Sequence, residues 1–124
     1  MSLCLAAGGK IAALAFTAFT LSWTHSVEHI RWEEDWHLTP AGLTLVQARV
    51  KGTGAGMEPP PEARLDRGWW RWQPQLKPQS QVVLAASGKT GAGWTLCGDN
   101  GDCREIGRQA ADPLTLGTCA DLRG

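Results

Sequence analysis

Residues 19–50 read FTLSWTHSVEHIRWEEDWHLTPAGLTLVQARV, and the spacing of their apolar side chains decides the fold class. Phe19, Leu21 and Trp23 alternate with Thr20, Ser22 and Thr24. This period of two is that of a strand with one buried face. Ile30, Trp32, Trp36 and Leu38 carry the alternation on. In Thr39-Pro40-Ala41-Gly42, proline presets one dihedral and glycine relieves another, so a turn is predicted. Leu43 and Leu45 open a return strand that runs to about Val50.

The same alternation extends outward. Gly8-Gly9 between two apolar runs predicts a hairpin over residues 2–16. The apolar run of residues 11–23 also resembles an export signal, but glycines and Lys10 interrupt its start. Residues 1–23 therefore set the expected compartment: cytoplasmic if they are folded strands, periplasmic if they are an export signal. Residues 52–61 form a glycine- and proline-rich loop. Short strands are expected at 69–72, 82–86, 94–97 and 103–106. Residues 110–124 are weakly patterned, with one edge strand around Leu114–Leu116. No segment keeps a helical period. The chain is expected to be one all-β domain over residues 1–124, a small antiparallel barrel or sandwich of about eight to ten short strands.

Composition narrows the function classes. Twelve basic and twelve acidic residues balance in 124, without the basic stripe that nucleic-acid binding needs. Hydrophobic residues make up 43%, enough for a core, and no run is long enough to span a bilayer. Seven Trp, two Phe and no Tyr give the aromatic supply an unusual bias toward indole.

Polar residues interrupt the apolar faces at three places. His25 follows Trp23 in phase, Glu34 lies between Trp32 and Trp36, and Arg49 follows Leu43 and Leu45. Continuing the hairpin register from Thr39 and Gly42 sets Glu34 opposite Gln47 and Trp32 opposite Arg49. Glu34 and Arg49 are then diagonal neighbours on one inward face, with Arg49 near enough to Trp32 for a cation–π contact. Two readings follow. One is a covered salt bridge. The other is a polar pocket in which Arg49 and His25 donate to a small anion while Glu34 orients Arg49.

The runs WTHSVEHIRWEEDW and LTLVQARVKGTGAGMEPP resemble the bacterial domain-of-unknown-function family 1850. Its pattern of His-Ser-Val, a Glu pair, an Arg on the next strand and a Gly-Ala-Gly loop matches His25-Ser26-Val27, Glu33-Glu34, Arg49 and Gly54-Ala55-Gly56. AASGKTGAGWTLC is similar as well. The resemblance covers most of residues 3–106. It implies no assigned activity, and an association with tripartite (TRAP-type) transporters that use a TAXI-type solute-binding protein. The expected ligand residues are His25, Ser26, Glu34, Arg49, Gly54, Gly56 and Met57. The expected occupant is a small anionic ligand or a transporter subunit, with no cofactor and no metal.

Other motifs are set aside on geometry. His25 and Ser26 point to opposite faces of a strand, so they do not form a nucleophile and its base. His25 and His29 would lie about 13 Å apart on a strand, too far to share an ion. Gly88-Lys89-Thr90 lacks the glycine spacing of a phosphate-binding loop. Trp69, Trp70 and Trp72 place indoles on both faces of one strand, which predicts either a partner surface or a strand buried on both sides. Cys97 and Cys103 flank a tight turn and are positioned for a cross-strand disulfide. Cys4 and Cys119 read as small apolar residues. The expectation is a non-enzymatic binding domain. The alternatives are an interaction module without a ligand site and an acid/base enzyme using His25 and Glu34.

Overall fold

The computed structural model describes residues 1–24, 30–52, 59–86, 93–108 and 112–124. Its strands are β1 (Leu3–Ala7), β2 (Lys10–Ala13), β3 (Ala18–Thr24), β4 (Arg31–Thr39), β5 (Gly42–Lys51), β6 (Arg64–Asp66), β7 (Trp69–Trp72), β8 (Gln81–Leu84), β9 (Trp94–Gly98), β10 (Cys103–Ile106) and β11 (Leu114–Thr118). A short helix, α1 (Cys119–Arg123), ends the chain. The strands form two antiparallel sheets, a small one in the order β2-β1-β11-β8 and a large one in the order β10-β9-β3-β4-β5-β7-β6. The all-β reading holds. Of its two architectures the sandwich-like one is found, because the sheets do not close into a barrel.

Alternation builds the space between the sheets. Phe19, Leu21, Trp36, Leu38, Leu43, Leu45 and Leu96 of the large sheet meet Leu3, Leu5, Leu84, Leu114 and Leu116 of the small one, with Leu14 and Phe16 filling the join. Leu3, Leu21, Leu43, Leu96 and Leu116 are wholly inaccessible to solvent. The β4–β5 turn is closed by Gly42, whose φ of 125° and whose approach to the Gln79 carbonyl leave no room for a Cβ. The hairpin expected at residues 2–16 is present as β1 and β2, with Gly8 and Gly9 both left-handed.

Four expectations are corrected. The C-terminal strand β11 is interior, pairing with both β1 and β8, because its Leu114 and Leu116 belong to the core. The tail then turns into α1, capped by the Thr118 hydroxyl accepting from the Asp121 N–H at 3.0 Å. Cys4 and Cys119 are disulfide-bonded, since the β1–β11 pairing brings α1 onto β1. Cys97 and Cys103, positioned for a bridge, are also disulfide-bonded, with Gly101 left-handed in the turn between them.

The fourth correction concerns register. Thr39 faces Gly42, Leu38 faces Leu43 and Trp36 faces Leu45 as expected, but the register then shifts by one residue. Asp35 faces Gln47, Glu34 faces Ala48, Glu33 faces Arg49 and Trp32 faces Val50. Val46 is the extra residue, 47% exposed at this β-bulge. A one-residue slip moves every later side chain to the other face. Ala48 and Val50 therefore turn inward and are buried, and Arg49 turns outward.

Candidate functional site

The bulge separates the two groups expected to meet. On the outer face, Arg49 Nε donates to Glu33 Oε1 at 2.7 Å and Nη1 to Asp35 Oδ2 at 2.8 Å. Nη1 also reaches Gln47 Oε1 at 3.3 Å. Thr20 donates to Asp35 at 2.7 Å, and Arg31 bridges Glu33 at 3.1 Å and Ser22 at 2.7 Å. Arg71 donates to Gln47 at 3.1 Å, and its Nε lies 3.3 Å from Asp66 Oδ2 without hydrogen-bond alignment. The Arg49 side chain is only 13% exposed.

The ionisation of the network follows from these contacts. Burial pushes the Asp35 carboxyl upward. Hydrogen bonds from Arg49 and Thr20, with the charges of Arg49 and Arg71, outweigh this and hold it below its ordinary range. Burial likewise disfavours the Arg49 cation, and Asp35 and Glu33 more than offset it. Two carboxylates thus neutralise Arg49. The geometry provides a part-buried salt bridge, with Glu33 and Asp35 as its acids in place of Glu34. The expected Arg49–Trp32 contact is absent, and Lys51 instead lies 5.8 Å over Trp69.

Glu34 points inward. Its cross-strand neighbours are Leu21 and Ala48, and Trp32 and Trp36 flank it along β4. Burial raises its pKa above the ordinary carboxylate value, and one hydrogen bond, from Trp36 Nε1 at 3.2 Å, opposes that rise. No cationic side chain among the described residues pairs with it.

Beside Glu34 runs a continuous rung of apolar side chains. Ile106 pairs with Trp94, and Trp94 packs on Trp23 with 4.8 Å between ring centroids. Trp23 pairs with Trp32, Trp32 with Val50, Val50 with Trp70 and Trp70 with Leu65. The Trp23 and Trp32 rings are parallel at 6.1 Å, and Trp72 meets Trp32 edge-on at 6.2 Å. Only Trp94 and Ile106 of this rung pack against the core between the sheets. The five indoles of Trp23, Trp32, Trp70, Trp72 and Trp94 are half-buried. Trp70 Nε1 is buried and has no partner among the described residues.

Of the expected partner surface, Trp70 and Trp72 lie on this inner face, while Trp69 lies outside over Asp66 of β6 and Lys51 of β5. His25, Ser26, Gly54, Gly56 and Met57 lie outside the described residues. A shallow groove of about 500 Å³ opens on the outer face beside the bulge, lined in part by Thr20, Asp35, His37, Val46, Arg49 and Asp99. Among the described residues no three metal-ligating side chains come together. No described helix is long and apolar enough to cross a membrane.

The rung was hidden by its dispersal over seven strands. Its signal is a tryptophan at an inward position near the same end of β3, β4, β7 and β9, which emerges only once the pairings are set. The bulge had a local signal: the adjacent apolar pair Leu45-Val46, followed by apolar Ala48 and Val50 in the opposite phase.

A protein-family model described as a domain of unknown function (DUF1850) matches residues 19–105. No curated protein and no solved structure matches the chain.

Proposed function

This chain belongs to the DUF1850 family, and from that premise we propose that it is a non-enzymatic binding domain whose recognition surface is the tryptophan-lined end of its inner sheet face. One observation carries the reading. Trp23, Trp32, Val50, Trp70 and Leu65 form an unbroken row across five strands; Val50 is buried, and the other four lie outside the core between the sheets. Indoles supply large, stiff contact area at small entropic cost, which suits recognition more than catalysis. Glu34 is the only inward acid among the described residues of this face. The small-anion reading is weakened, because Arg49 Nε and Nη1 already serve Glu33 and Asp35.

The transport association implied by the resemblance makes a subunit of a TRAP-type system the first macromolecular partner to try. Co-purification of the two, weakened by Trp32→Leu, supports that partner; capture that ignores Trp32→Leu assigns it to another surface.

The face itself is tested with Nile red, a neutral apolar dye. Its emission rises on binding the folded protein, and Trp32→Leu and Trp70→Leu weaken the response. Trp69→Leu, on the outer face, leaves it unchanged. Equal loss with Trp69→Leu sinks the assignment. A melting-temperature rise with phosphate or citrate that disappears in Arg49→Ala would return the site to Arg49.

A further inference from the structure

We infer that the aromatic end of the inner face takes an organic cation, its apolar body against Trp23, Trp32 and Trp72 and its ammonium group paired with the Glu34 carboxylate. The inference rests on the reading above that the ligand occupies this face, and adds the chemical class of the ligand.

The argument begins with charge. Among the inward side chains of β3, β4, β5, β7 and β9, Glu34 is the single ionisable one: the others are Phe19, Leu21 and Trp23, then Trp32, Trp36 and Leu38, then Leu43, Leu45, Ala48 and Val50, then Trp70 and Trp72, then Trp94 and Leu96. A carboxylate withdrawn from water needs a cation or several donors to offset its lost hydration. The outer face meets that need at every acid of its network: Glu33 has Arg31 and Arg49, and Asp35 has Arg49 and Thr20. Glu34 has one neutral N–H, from Trp36, on Oε1. Charges are thus paired across the outer face, and at the β10 edge Arg104, opposite Leu96, is paired with Asp102, whereas Glu34 has no cation among the described residues.

The surroundings of that acid select the sign and shape of what completes it. Indole faces carry negative electrostatic potential and attract cations. Trp32 is next but one to Glu34 along β4, and Trp72 pairs with Ala48, the residue opposite Glu34. Trp32 and Trp72 stand nearly perpendicular, at 82°, so they present two walls of a corner. The carboxylate and both indoles favour a positive head group, and all of them disfavour an anion.

Three probes of matched size separate the possibilities: 2-phenylethylammonium, 2-phenylethanol and 3-phenylpropionate. Each is titrated into ¹⁵N-labelled full chain, and the indole N–H resonances are followed with Trp69 as the outer-face control. The ammonium is expected to bind about tenfold more tightly than the alcohol, with the carboxylate weakest. Glu34→Gln keeps an acceptor for Trp36 Nε1, and is expected to bring the ammonium to the affinity of the alcohol while leaving the alcohol unchanged. Alcohol and ammonium binding equally to wild type would leave the aromatic face standing and overturn the cation. A preference for the ammonium that survives Glu34→Gln would also overturn it. If none of the three moves an inner-face indole, the binding face itself falls. Should Glu34→Gln fail to fold, the ranking of the three probes on wild type still decides the matter.

Discussion

Arg49 Nε and Glu33 Oε1 meet at 2.7 Å, face to face across β4 and β5, because Val46 takes up one extra position in β5. Without that bulge Arg49 would enter the apolar interior and Glu33 would lose its main partner. The bulge therefore sorts charge: it sends a guanidinium to the two acids able to hold it. It also brings Ala48 and Val50 under the tryptophans.

Arg49→Ala leaves Glu33 and Asp35 on adjacent positions with no shared cation. A loss of about 2 kcal/mol in unfolding free energy is expected, between the cost of a charged hydrogen bond and that of a broken buried pair. Arg49→Lys recovers part of it, since an ammonium does not reproduce the two-armed contact. Arg31→Ala, at a side chain 44% exposed, changes stability by less than about 0.5 kcal/mol. Urea denaturation of the three variants checks the order. Equal effects at positions 31 and 49 would contradict a network centred on Arg49.

Glu34 and Asp35 are sequence neighbours with opposite pH behaviour. Burial raises the Glu34 pKa in the folded state. Its stabilising contribution is therefore present below the ordinary carboxylate range and is lost as pH rises through the raised value. Glu34→Gln is expected to melt higher than wild type at pH 7, with the gap closing in acid. The charges and donors around Asp35 hold its pKa down, so its contribution is present above that range and is lost as pH falls. Asp35→Asn is expected to melt lower at pH 7, and the deficit shrinks in acid. Melting curves from pH 3 to 8 read both. The same sign for the two variants would refute the assignment of opposite faces.

The fold was legible where chemistry is local. The strands around Phe19, Trp36 and Leu43 follow from alternation, and the two-glycine and Pro-Ala-Gly turns from their dihedral demands. The Cys97–Cys103 bridge follows from a turn only a few residues long. What stayed hidden depends on contacts distant in the chain. Nothing near Cys4 indicates Cys119, 115 residues away, and nothing near Leu114 shows that β1 and β8 flank it. At the site, the inward placement of Glu34 was legible from its neighbours. Arg49 was misplaced because a phase continued through Leu45-Val46 carries one unnoticed slip into every residue beyond it.

The two disulfides should contribute unequally. Cys4–Cys119 closes nearly the whole chain, and the loop-entropy account gives roughly 4–5 kcal/mol for such a span. Cys97–Cys103, six residues apart, closes a small loop worth about 2 kcal/mol by the same account. Replacing each pair by alanine and comparing denaturation midpoints tests the ranking. Intact mass of non-reduced protein is expected to fall short of the reduced form by four hydrogens. A shortfall of two would show that one bridge is open.

The β6–β7 turn contains a residue whose identity works against its conformation. Arg67 has φ 53° and Gly68 φ 88°, the pair of left-handed residues that a two-residue turn between twisted strands requires. Glycine adopts this at no steric cost, whereas an arginine Cβ crowds the backbone. Arg67 is exposed and makes no ion pair among the described residues, so replacing it sacrifices little. Arg67→Asn and Arg67→Gly are each expected to stabilise the domain by about 0.5–1 kcal/mol, with asparagine ahead because it constrains the unfolded chain more than glycine does. The strands on either side keep their register, so Trp70 should retain its indole resonance and the Nile red response should be unchanged. Thermal unfolding of both variants measures the gain. A loss of stability in both would mean that the Arg67 side chain holds the hairpin through a contact stronger than the backbone cost it imposes.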